Sequence, residues 1–138
     1  MIKKILMIED NFNNAMLVKR MLENKAVQLT HAWDGESGLQ MVMEQKPDLI
    51  LLDLGLPDLD GQTVASFIRR IPELENVPMI AVTAWPEETA REMVTAYGCN
   101  DYISKPIDVL TFYKKLETYI SLAEIDKNEI EKDEVTTP

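Results

Sequence analysis

Residues 48–61 read D-L-I-L-L-D-L-G-L-P-D-L-D-G, and this stretch decides the fold. Its four apolar residues, 49–52, run without interruption into Asp53. A continuous apolar run of this length is typical of a strand that is buried on both faces, in a parallel sheet covered by helices. Asp53 then emerges at the carboxyl end of the strand, where open α/β sheets bind their ligands. Packing gives no reason for a carboxylate there, so the sequence predicts that Asp53 is the reactive residue.

Four more strands can be predicted around this one. The runs 5–8 and 79–82 are as apolar as 49–52, whereas 27–32 and 102–104 are more polar or shorter. The three apolar strands therefore belong in the centre of the sheet and the other two at its edges. A helical pattern follows every strand, and crossovers between parallel strands are right-handed. We therefore predict an α/β fold with a doubly wound five-stranded parallel sheet, in the order 2-1-3-4-5, and five helices.

The ends of several helices carry local signals. Asn13 and Asn14 are the expected caps of the first helix, since their side chains can accept a hydrogen bond from a free backbone N–H group. Pro86 is expected at the first position of the fourth helix, and Gly98 just beyond its end. The pair at 60–61, Asp-Gly, is expected to begin the third helix.

Composition narrows the classes of function. The chain has 138 residues, with 24 Asp and Glu against 14 Lys and Arg, and a formal net charge of −10. This charge disfavours direct binding to nucleic acid or to acidic membrane surfaces. No segment has the ~20 apolar residues of a membrane span, and the single cysteine, Cys99, excludes an internal disulfide. We therefore predict a cytoplasmic protein with one domain over residues 1–122, followed by an acidic tail, 123–138, that is frayed or disordered.

Side chains with chemical function stand at the carboxyl ends of four predicted strands. Glu9 and Asp10 follow the first strand, Asp53 the third, Thr83 the fourth and Lys105 the fifth. Three carboxylates at one edge would repel one another unless a cation lay between them, and oxygen ligands of this kind suit Mg²⁺. Lys105 can pair with a phosphoryl group, and Thr83 can bind one of its oxygens. The set predicts metal-assisted phosphoryl transfer with Asp53 as the nucleophile.

The motifs at these strand ends resemble those of one known family. They read I-E-D-N at 8–11, D-L-G-L-P-D-L-D-G at 53–61, V-T-A at 82–84 and Y-I-S-K-P at 102–106. Over residues 3–120 the chain resembles the receiver domain of bacterial two-component response regulators. Because no output domain follows the fifth helix, it resembles the free-standing, single-domain members in particular. The resemblance implies a phosphorelay function, in which a sensor histidine kinase or a histidine phosphotransfer protein supplies the phosphoryl group.

The resemblance also implies the roles of the site residues. Asp53 is the phosphoacceptor, and Mg²⁺, for which Mn²⁺ can substitute, is held by Asp10, Asp53 and the backbone carbonyl of Gly55. Glu9 assists in metal binding through a water molecule. Gly55 and Trp85 occupy positions that tune the lifetime of the phosphoryl group in this family. The protein is then a signalling phosphoacceptor, which catalyses only its own phosphorylation and slow dephosphorylation.

Phosphorylation is expected to change the protein surface. Thr83 and Lys105 are expected to bind the phosphoryl oxygens, and Tyr102 matches the aromatic residue that turns inward when the threonine moves toward phosphate. The bond between Lys105 and Pro106 matches a peptide bond that is usually cis in the family. A downstream protein partner is expected on the face formed by the fourth helix, the fifth strand and the fifth helix. The protein is expected to be a monomer or a weak homodimer.

Other interpretations of the same residues are weaker. The D-x-D-G motif at 58–61 is similar to those of haloacid-dehalogenase-like phosphatases and EF-hands, but it lies too far from the strand for the first and lacks the ligand spacing of the second. A flavodoxin-like flavin binder would need a Ser-, Thr- or Gly-rich loop where Glu9 and Asp10 stand. A phosphatase with a transient aspartyl phosphate would turn over a phosphomonoester many times. His31 is expected to be a half-buried structural residue and not a relay histidine.

Overall fold

Five parallel strands form one sheet in this computed structural model, which describes residues 2–123. The strands are β1 (Lys3–Ile8), β2 (Val27–Ala32), β3 (Leu49–Asp53), β4 (Met79–Thr83) and β5 (Asp101–Ser104). The helices are α1 (Phe12–Leu22), α2 (Gly35–Gln45), α3 (Gly61–Arg70), α4 (Glu87–Tyr97) and α5 (Val109–Tyr119), and a short 3₁₀ helix, Pro72–Leu74, follows α3. The spatial order is β2-β1-β3-β4-β5. The predicted fold class and strand order are confirmed.

The sheet is covered on both faces because its central strands are apolar. Every residue of β3 and of β4 is buried. Leu49 and Leu51 belong to the core beneath α1 and α5, whereas Ile50 and Leu52 belong to the core beneath α2, α3 and α4. Burial of one such side chain contributes about 2 kcal/mol. A shift of β3 by one residue would turn each of its side chains to the opposite face of the sheet, so this packing also fixes the position of Asp53.

Side-chain caps set the starts of four helices. In each, a side-chain oxygen of the residue before the helix accepts a hydrogen bond from the backbone N–H three residues later: Asn11 for α1, Asp34 for α2, Asp60 for α3 and Asp108 for α5. The prediction that Asn13 or Asn14 caps α1 is wrong. Both lie inside the helix, and the N–H of Asn14 is the donor to the cap, at 2.9 Å. The predicted start of α3 is confirmed.

Helix α4 begins and ends at turns. Pro86 precedes the helix instead of occupying its first position, because its backbone is extended, with ψ of 148°. Gly98 ends the helix in the left-handed conformation, with φ of 83°, as expected of a glycine after a helix. The side chain of Arg69 also favours glycine at this position, since a Cβ atom at Gly98 would lie 2.9 Å from Cγ of Arg69.

The chain folds back onto the sheet after α5. Leu122 is buried, and the carbonyl of Ala123 accepts a hydrogen bond from the N–H of Ala26 at 3.0 Å. All but the first residue of the predicted tail, 123–138, lies outside the described residues. Within residues 2–123 there is no helix that is long and apolar enough to cross a membrane.

Arg69, in the last turn of α3, fixes the amino ends of β4 and β5. Its Nε donates a hydrogen bond to the carbonyl of Gly98 at 2.7 Å. Its Nη1 donates to the carbonyls of Leu74 and Val77 at 2.9 and 2.7 Å, and its Nη2 to Oδ1 of Asn100 at 2.8 Å. These acceptors lie in the two segments that lead into β4 and β5. One guanidinium therefore satisfies the backbone at both strand entrances.

We expect Arg69→Met to lower the free energy of unfolding by about 3 kcal/mol, because hydrogen bonds to a charged group contribute about 1.5–3 kcal/mol each and methionine replaces none of them. Urea unfolding followed by tryptophan fluorescence measures this change. Arg70→Met, at the exposed neighbouring position, is the matched control and should change stability by less than about 0.5 kcal/mol. Equal losses in the two variants would contradict the structural role of Arg69.

Candidate functional site

The carboxyl edge of the sheet gathers the side chains that the sequence places at strand ends. Glu9 and Asp10 follow β1, and Asp53 is the last residue of β3, which pairs directly with β1. Thr83 ends β4, and the N–H of Lys105, just after β5, donates a hydrogen bond to the carbonyl of Thr83 at 2.8 Å. Parallel strands all end at the same edge, so residues far apart in sequence become neighbours.

Asp53 lies at the centre of this edge with only 2% of its surface exposed. Its Oδ1 accepts two hydrogen bonds, from Nζ of Lys105 at 2.8 Å and from the N–H of Gly55 at 2.9 Å. Its Oδ2 is buried and has no hydrogen-bond partner among the described residues. The carboxylate therefore has one oxygen that is held in place and one that can bind a cation or an incoming group.

Glu9 and Asp10 stand against Asp53. One carboxylate oxygen from each of the three residues lies within 4.8 Å of the others. Glu9 is buried, and its Oε2 accepts a hydrogen bond from the N–H of Asn11 at 3.3 Å, whereas Asp10 is exposed. The group is thus open to solvent on the side of Asp10 and closed on the other sides.

The pKa values of the three carboxyls differ because they share one site. Burial, followed by interaction with Asp53, raises the pKa of Glu9 to about 8. The same causes raise the pKa of Asp10. Burial alone would also raise the pKa of Asp53, but its interactions with Glu9, Lys105 and the N–H of Gly55 outweigh burial and hold that pKa below its usual value. At neutral pH Asp53 is therefore ionised, and Glu9 retains its proton.

This donor set fits a hard divalent cation. All three side chains offer oxygen atoms, which are the ligands of Mg²⁺ and Mn²⁺. Asp53 Oδ2 is a buried acceptor to which no described residue donates a hydrogen bond, and a cation between the carboxylates would both satisfy it and relieve their repulsion. The exposed side of Asp10 leaves room for the water ligands that Mg²⁺ usually keeps. Gly55, which is also exposed, lies two residues beyond Asp53.

Thr83 and Trp85 form the turn after β4. Thr83 is buried, and its Oγ1 accepts a hydrogen bond from the N–H of Trp85 at 3.0 Å. The hydroxyl hydrogen is not used in that bond and can be donated to another group. The indole of Trp85 packs edge to face against Tyr97 of α4, with 6.3 Å between ring centroids. Thr83 therefore shapes this turn and also holds a donor at the edge of the sheet.

Tyr102, on β5, contacts both α4 and α5 through its side chain. Its hydroxyl donates a hydrogen bond to Oε1 of Glu87 on α4 at 3.2 Å. The same oxygen accepts a hydrogen bond from Nη2 of Arg91 at 2.7 Å, and Nζ of Lys115 lies 4.7 Å from the centre of the Tyr102 ring. These contacts join α4, β5 and α5 at the surface.

The peptide bond between Lys105 and Pro106 is cis. It lies directly after β5, where the Lys105 side chain turns toward Asp53 and is 22% exposed. Lys105 is therefore not a solvated loop residue, because its ammonium forms an ion pair with a buried carboxylate.

Two residues that support the site received no such role from the sequence. Nε2 of His31 forms a hydrogen bond with the backbone carbonyl of Glu9 at 2.8 Å, which fixes the chain just after β1. The carboxylate of Asp58 binds backbone N–H groups at the start of α2. The D-x-D-G motif marked Asp58 as unusual, but His31 carries no local signal, since its contact depends on the pairing of β1 with β2. The expectation that His31 is structural agrees with this contact.

Comparison with known proteins places this geometry in context. The family model described as "Response regulator receiver domain" matches residues 5–117. The polar-differentiation response regulator DivK of Brucella anthropi is 34% identical over 118 residues, which cover 86% of this chain and 96% of that protein. The chain therefore matches a relative along almost the whole of that relative's length.

Two solved structures add detail. One is the receiver domain of the sensor histidine kinase PA1611 from Pseudomonas aeruginosa, whose structure has a magnesium ion coordinated in the active site cleft. It is 32% identical to this chain, with a TM-score of 0.78. The match covers 86% of this chain and 98% of that one. A chain from the co-crystal structure of the Saccharomyces cerevisiae histidine phosphotransfer protein Ypd1 with the receiver domain of Ssk1 is 26% identical, with a TM-score of 0.78. This match covers 86% of this chain and 88% of the chain in that complex.

The raised pKa of Glu9 predicts how stability depends on pH when divalent ions are removed with EDTA. A carboxyl with a folded-state pKa of about 8 and an unfolded-state value of 4.5 stabilises the protein fully below pH 4.5, and this contribution is lost as pH rises through 8. As the pH rises from 5 to 9, the free energy of unfolding should fall in both chains. We expect the fall to be smaller in Glu9→Gln than in the unmodified chain, by at least about 2 kcal/mol.

Urea unfolding at several pH values measures this difference. Glu92→Gln, at an exposed position on α4, is the control and should follow the unmodified chain at every pH. If the Glu9→Gln curve is parallel to that of the unmodified chain, Glu9 is not the group that holds the proton.

Proposed function

We propose that this chain, which belongs to the response regulator receiver family, accepts a phosphoryl group on Asp53 from a phosphohistidine. The donor is a sensor histidine kinase or a histidine phosphotransfer protein, as supported by the similarity to the receiver chain of the Ypd1–Ssk1 complex. One observation carries the proposal: the buried carboxylate of Asp53 has its Oδ1 2.8 Å from Nζ of Lys105, and its Oδ2 receives no hydrogen bond from residues 2–123.

The transfer is a displacement at phosphorus. A carboxylate oxygen of Asp53 forms the new O–P bond, the P–N bond of the phosphohistidine breaks, and the imidazole nitrogen leaves with the electron pair. Because its pKa is lowered, Asp53 is already ionised at neutral pH and needs no general base. The chemistry is therefore mainly a matter of position and charge, as is usual in phosphoryl transfer.

The residues around Asp53 bind the phosphoryl group that this carboxylate attacks. Asp10, Asp53 and the backbone carbonyl of Gly55 would hold Mg²⁺ or Mn²⁺, and Glu9 would assist through water. When bound, the cation neutralises negative charge on the phosphoryl oxygens. Beyond β4 and β5, two more groups complete the site. The ammonium of Lys105 pairs with one phosphoryl oxygen and the hydroxyl of Thr83 donates a hydrogen bond to another.

The phosphorylated site then changes the surface through Thr83 and Tyr102. Thr83 leaves its hydrogen bond with the N–H of Trp85 to reach the phosphoryl group, and Tyr102 leaves Glu87 and turns inward. The contacts of Tyr102 with α4 and α5 support this, because its movement alters both helices. A downstream protein binds the face formed by α4, β5 and α5, where Leu110 is 70% exposed.

The remaining expectations complete the proposal. Residues 1–122 make up the receiver domain, and 123–138 form a tail outside it. The protein works in the cytoplasm as a monomer or weak homodimer, without direct binding to nucleic acid. It is a signalling phosphoacceptor, and apart from its own phosphorylation and slow dephosphorylation it has no separate substrate to turn over. The negative charge of Asp53 and Asp10 at this edge supports this over a flavin site, since it would repel the flavin phosphate.

Incubation with Mg²⁺ and acetyl phosphate tests the acceptor. We expect the unmodified chain to gain one phosphoryl group by intact-mass measurement, because a small acyl phosphate presents the same reacting group to Asp53. Asp53→Asn should gain none, and neither should the unmodified chain in EDTA.

Asp48→Asn is the matched control for this measurement. Asp48 lies next to the other end of β3, where its carboxylate accepts a hydrogen bond from the N–H of Lys4 at 2.8 Å. This variant should be phosphorylated like the unmodified chain. Phosphorylation of Asp53→Asn to the same extent would overturn the assignment of Asp53, and continuous release of phosphate from a phosphomonoester would favour a phosphatase.

A further inference from the structure

We propose that Asp58 is a positioning residue for divalent-cation binding, because its carboxylate anchors the loop that carries Gly55 to the start of α2. This inference rests on the proposed function, since it concerns the metal site at Asp53. The D-x-D-G motif at 58–61 fits neither a haloacid-dehalogenase-like phosphatase nor an EF-hand, and this inference assigns a role to its first aspartate, Asp58.

The anchor consists of two hydrogen bonds between segments far apart in sequence. Oδ1 of Asp58 accepts from the N–H of Gly35 at 2.8 Å, and Oδ2 accepts from the N–H of Glu36 at 3.0 Å. N–H groups in the first turn of a helix have no partner within the helix, and the helix dipole favours an anion at that end. These N–H groups also hold the pKa of Asp58 below its usual value. The tip of the loop after β3 is thereby docked on α2.

The start of α2 is shaped to receive this loop. A Cβ atom at Gly35 would lie 3.1 Å from Cβ of Leu59, 3.1 Å from Cγ2 of Val64 and 3.3 Å from Oδ1 of Asp58. Contacts this short leave little space for a side chain, so a glycine at this position permits the loop and the helix to approach each other. The docking of Asp58 is therefore part of a fitted contact between two segments.

The base of the same loop is also fixed. The N–H of Gly55 donates a hydrogen bond to Oδ1 of Asp53, and a Cβ atom at Gly61 would lie 2.7 Å from Cα of Leu54. The two ends of the loop therefore touch each other. Between Gly55 and Asp58 stand only two residues, and one of them, Pro57, has a restricted backbone. A displacement of Asp58 is thus transmitted over a short, stiff segment to Gly55.

Asp58 acts at a distance from the cation. Its side chain is exposed as a whole, and among residues 2–123 its hydrogen bonds go to the start of α2 and not to Glu9, Asp10 or Asp53. Its loss should therefore change where the backbone of Gly55 lies, without removing a ligand. Residues that orient metal ligands in this way commonly change metal affinity by about 10–100-fold when they are replaced.

The Mg²⁺ dissociation constant of the full chain, measured by calorimetric titration, tests the proposal. We expect Asp58→Ala to weaken Mg²⁺ binding about tenfold, at the low end of the range for such residues. Asp58→Asn should lie closer to the unmodified chain, because its amide oxygen can still accept one of the two hydrogen bonds.

Asp34→Ala is the matched control. It removes the same charge from the same helix end, since Asp34 accepts a hydrogen bond from the N–H of Ser37 at 2.8 Å, but it leaves the contact with Asp58 in place. Its Mg²⁺ dissociation constant should stay within about twofold of the unmodified chain, because the side-chain hydrogen bond of Asp34 goes to Ser37 within α2 and not to the loop that carries Gly55. Comparison of the two variants separates loss of the anchor from loss of charge or of helix stability.

A second measurement needs no metal. In EDTA, amide hydrogen exchange at residues 54–61 should be faster in Asp58→Ala than in the unmodified chain and in Asp34→Ala, because the loop is released from α2. This readout reports on the loop itself and does not depend on phosphorylation.

The outcomes are distinct. If Asp58→Ala binds Mg²⁺ as tightly as the unmodified chain, or if Asp34→Ala and Asp58→Asn weaken binding as much as Asp58→Ala does, the positioning role is overturned and the proposed function stands. If the unmodified chain does not bind Mg²⁺ at all, the proposed metal site fails and this inference fails with it.

Discussion

The repulsion among three carboxylates at one edge of the sheet is the constraint on which the site depends. Glu9, Asp10 and Asp53 place oxygens within 4.8 Å of one another, and each pair of charges at such a distance costs about 4 kcal/mol at the effective dielectric of a protein surface. Lys105 offsets part of this cost through its ion pair with Asp53, and a proton on Glu9 offsets more. The remaining demand for positive charge is what a divalent cation can satisfy.

The fold maintains this unfavourable arrangement of charges because packing holds the strands of the sheet in place. β3 and β4 are buried along their whole length, so the positions of Asp53 and Thr83 are fixed by packing on both faces. The segments at both ends of the strands are instead held by polar contacts between residues distant in sequence. Arg69 fixes the chain where β4 and β5 begin, and Asp58 fixes the loop after β3 at the opposite edge. A rigid sheet and separately anchored loops together suit a site where charge must be placed accurately.

The sequence predicted the parts of this structure that depend on local pattern. Continuous apolar runs determine a parallel sheet, and the residue after such a run must stand at its carboxyl edge, so Asp53 and its neighbours could be placed. The cap of α1 was assigned to Asn13 or Asn14 instead of Asn11, because residues of similar chemistry lie side by side and only the backbone geometry selects one. The contacts of Asp58 with α2 could not be predicted, because they join segments more than twenty residues apart and leave no periodic signal.

Chemical trapping of the phosphorylated residue tests the central claim most directly. Hydride from borohydride reduces an acyl phosphate to an alcohol, so a phosphorylated aspartate is converted to homoserine, which peptide mass spectrometry can locate. After phosphorylation of the unmodified chain in Mg²⁺, we predict this conversion at Asp53 and at no other position. Conversion at Glu9 or Asp10 instead, or at none of the carboxyls in a chain that has gained a phosphoryl group, would contradict the account.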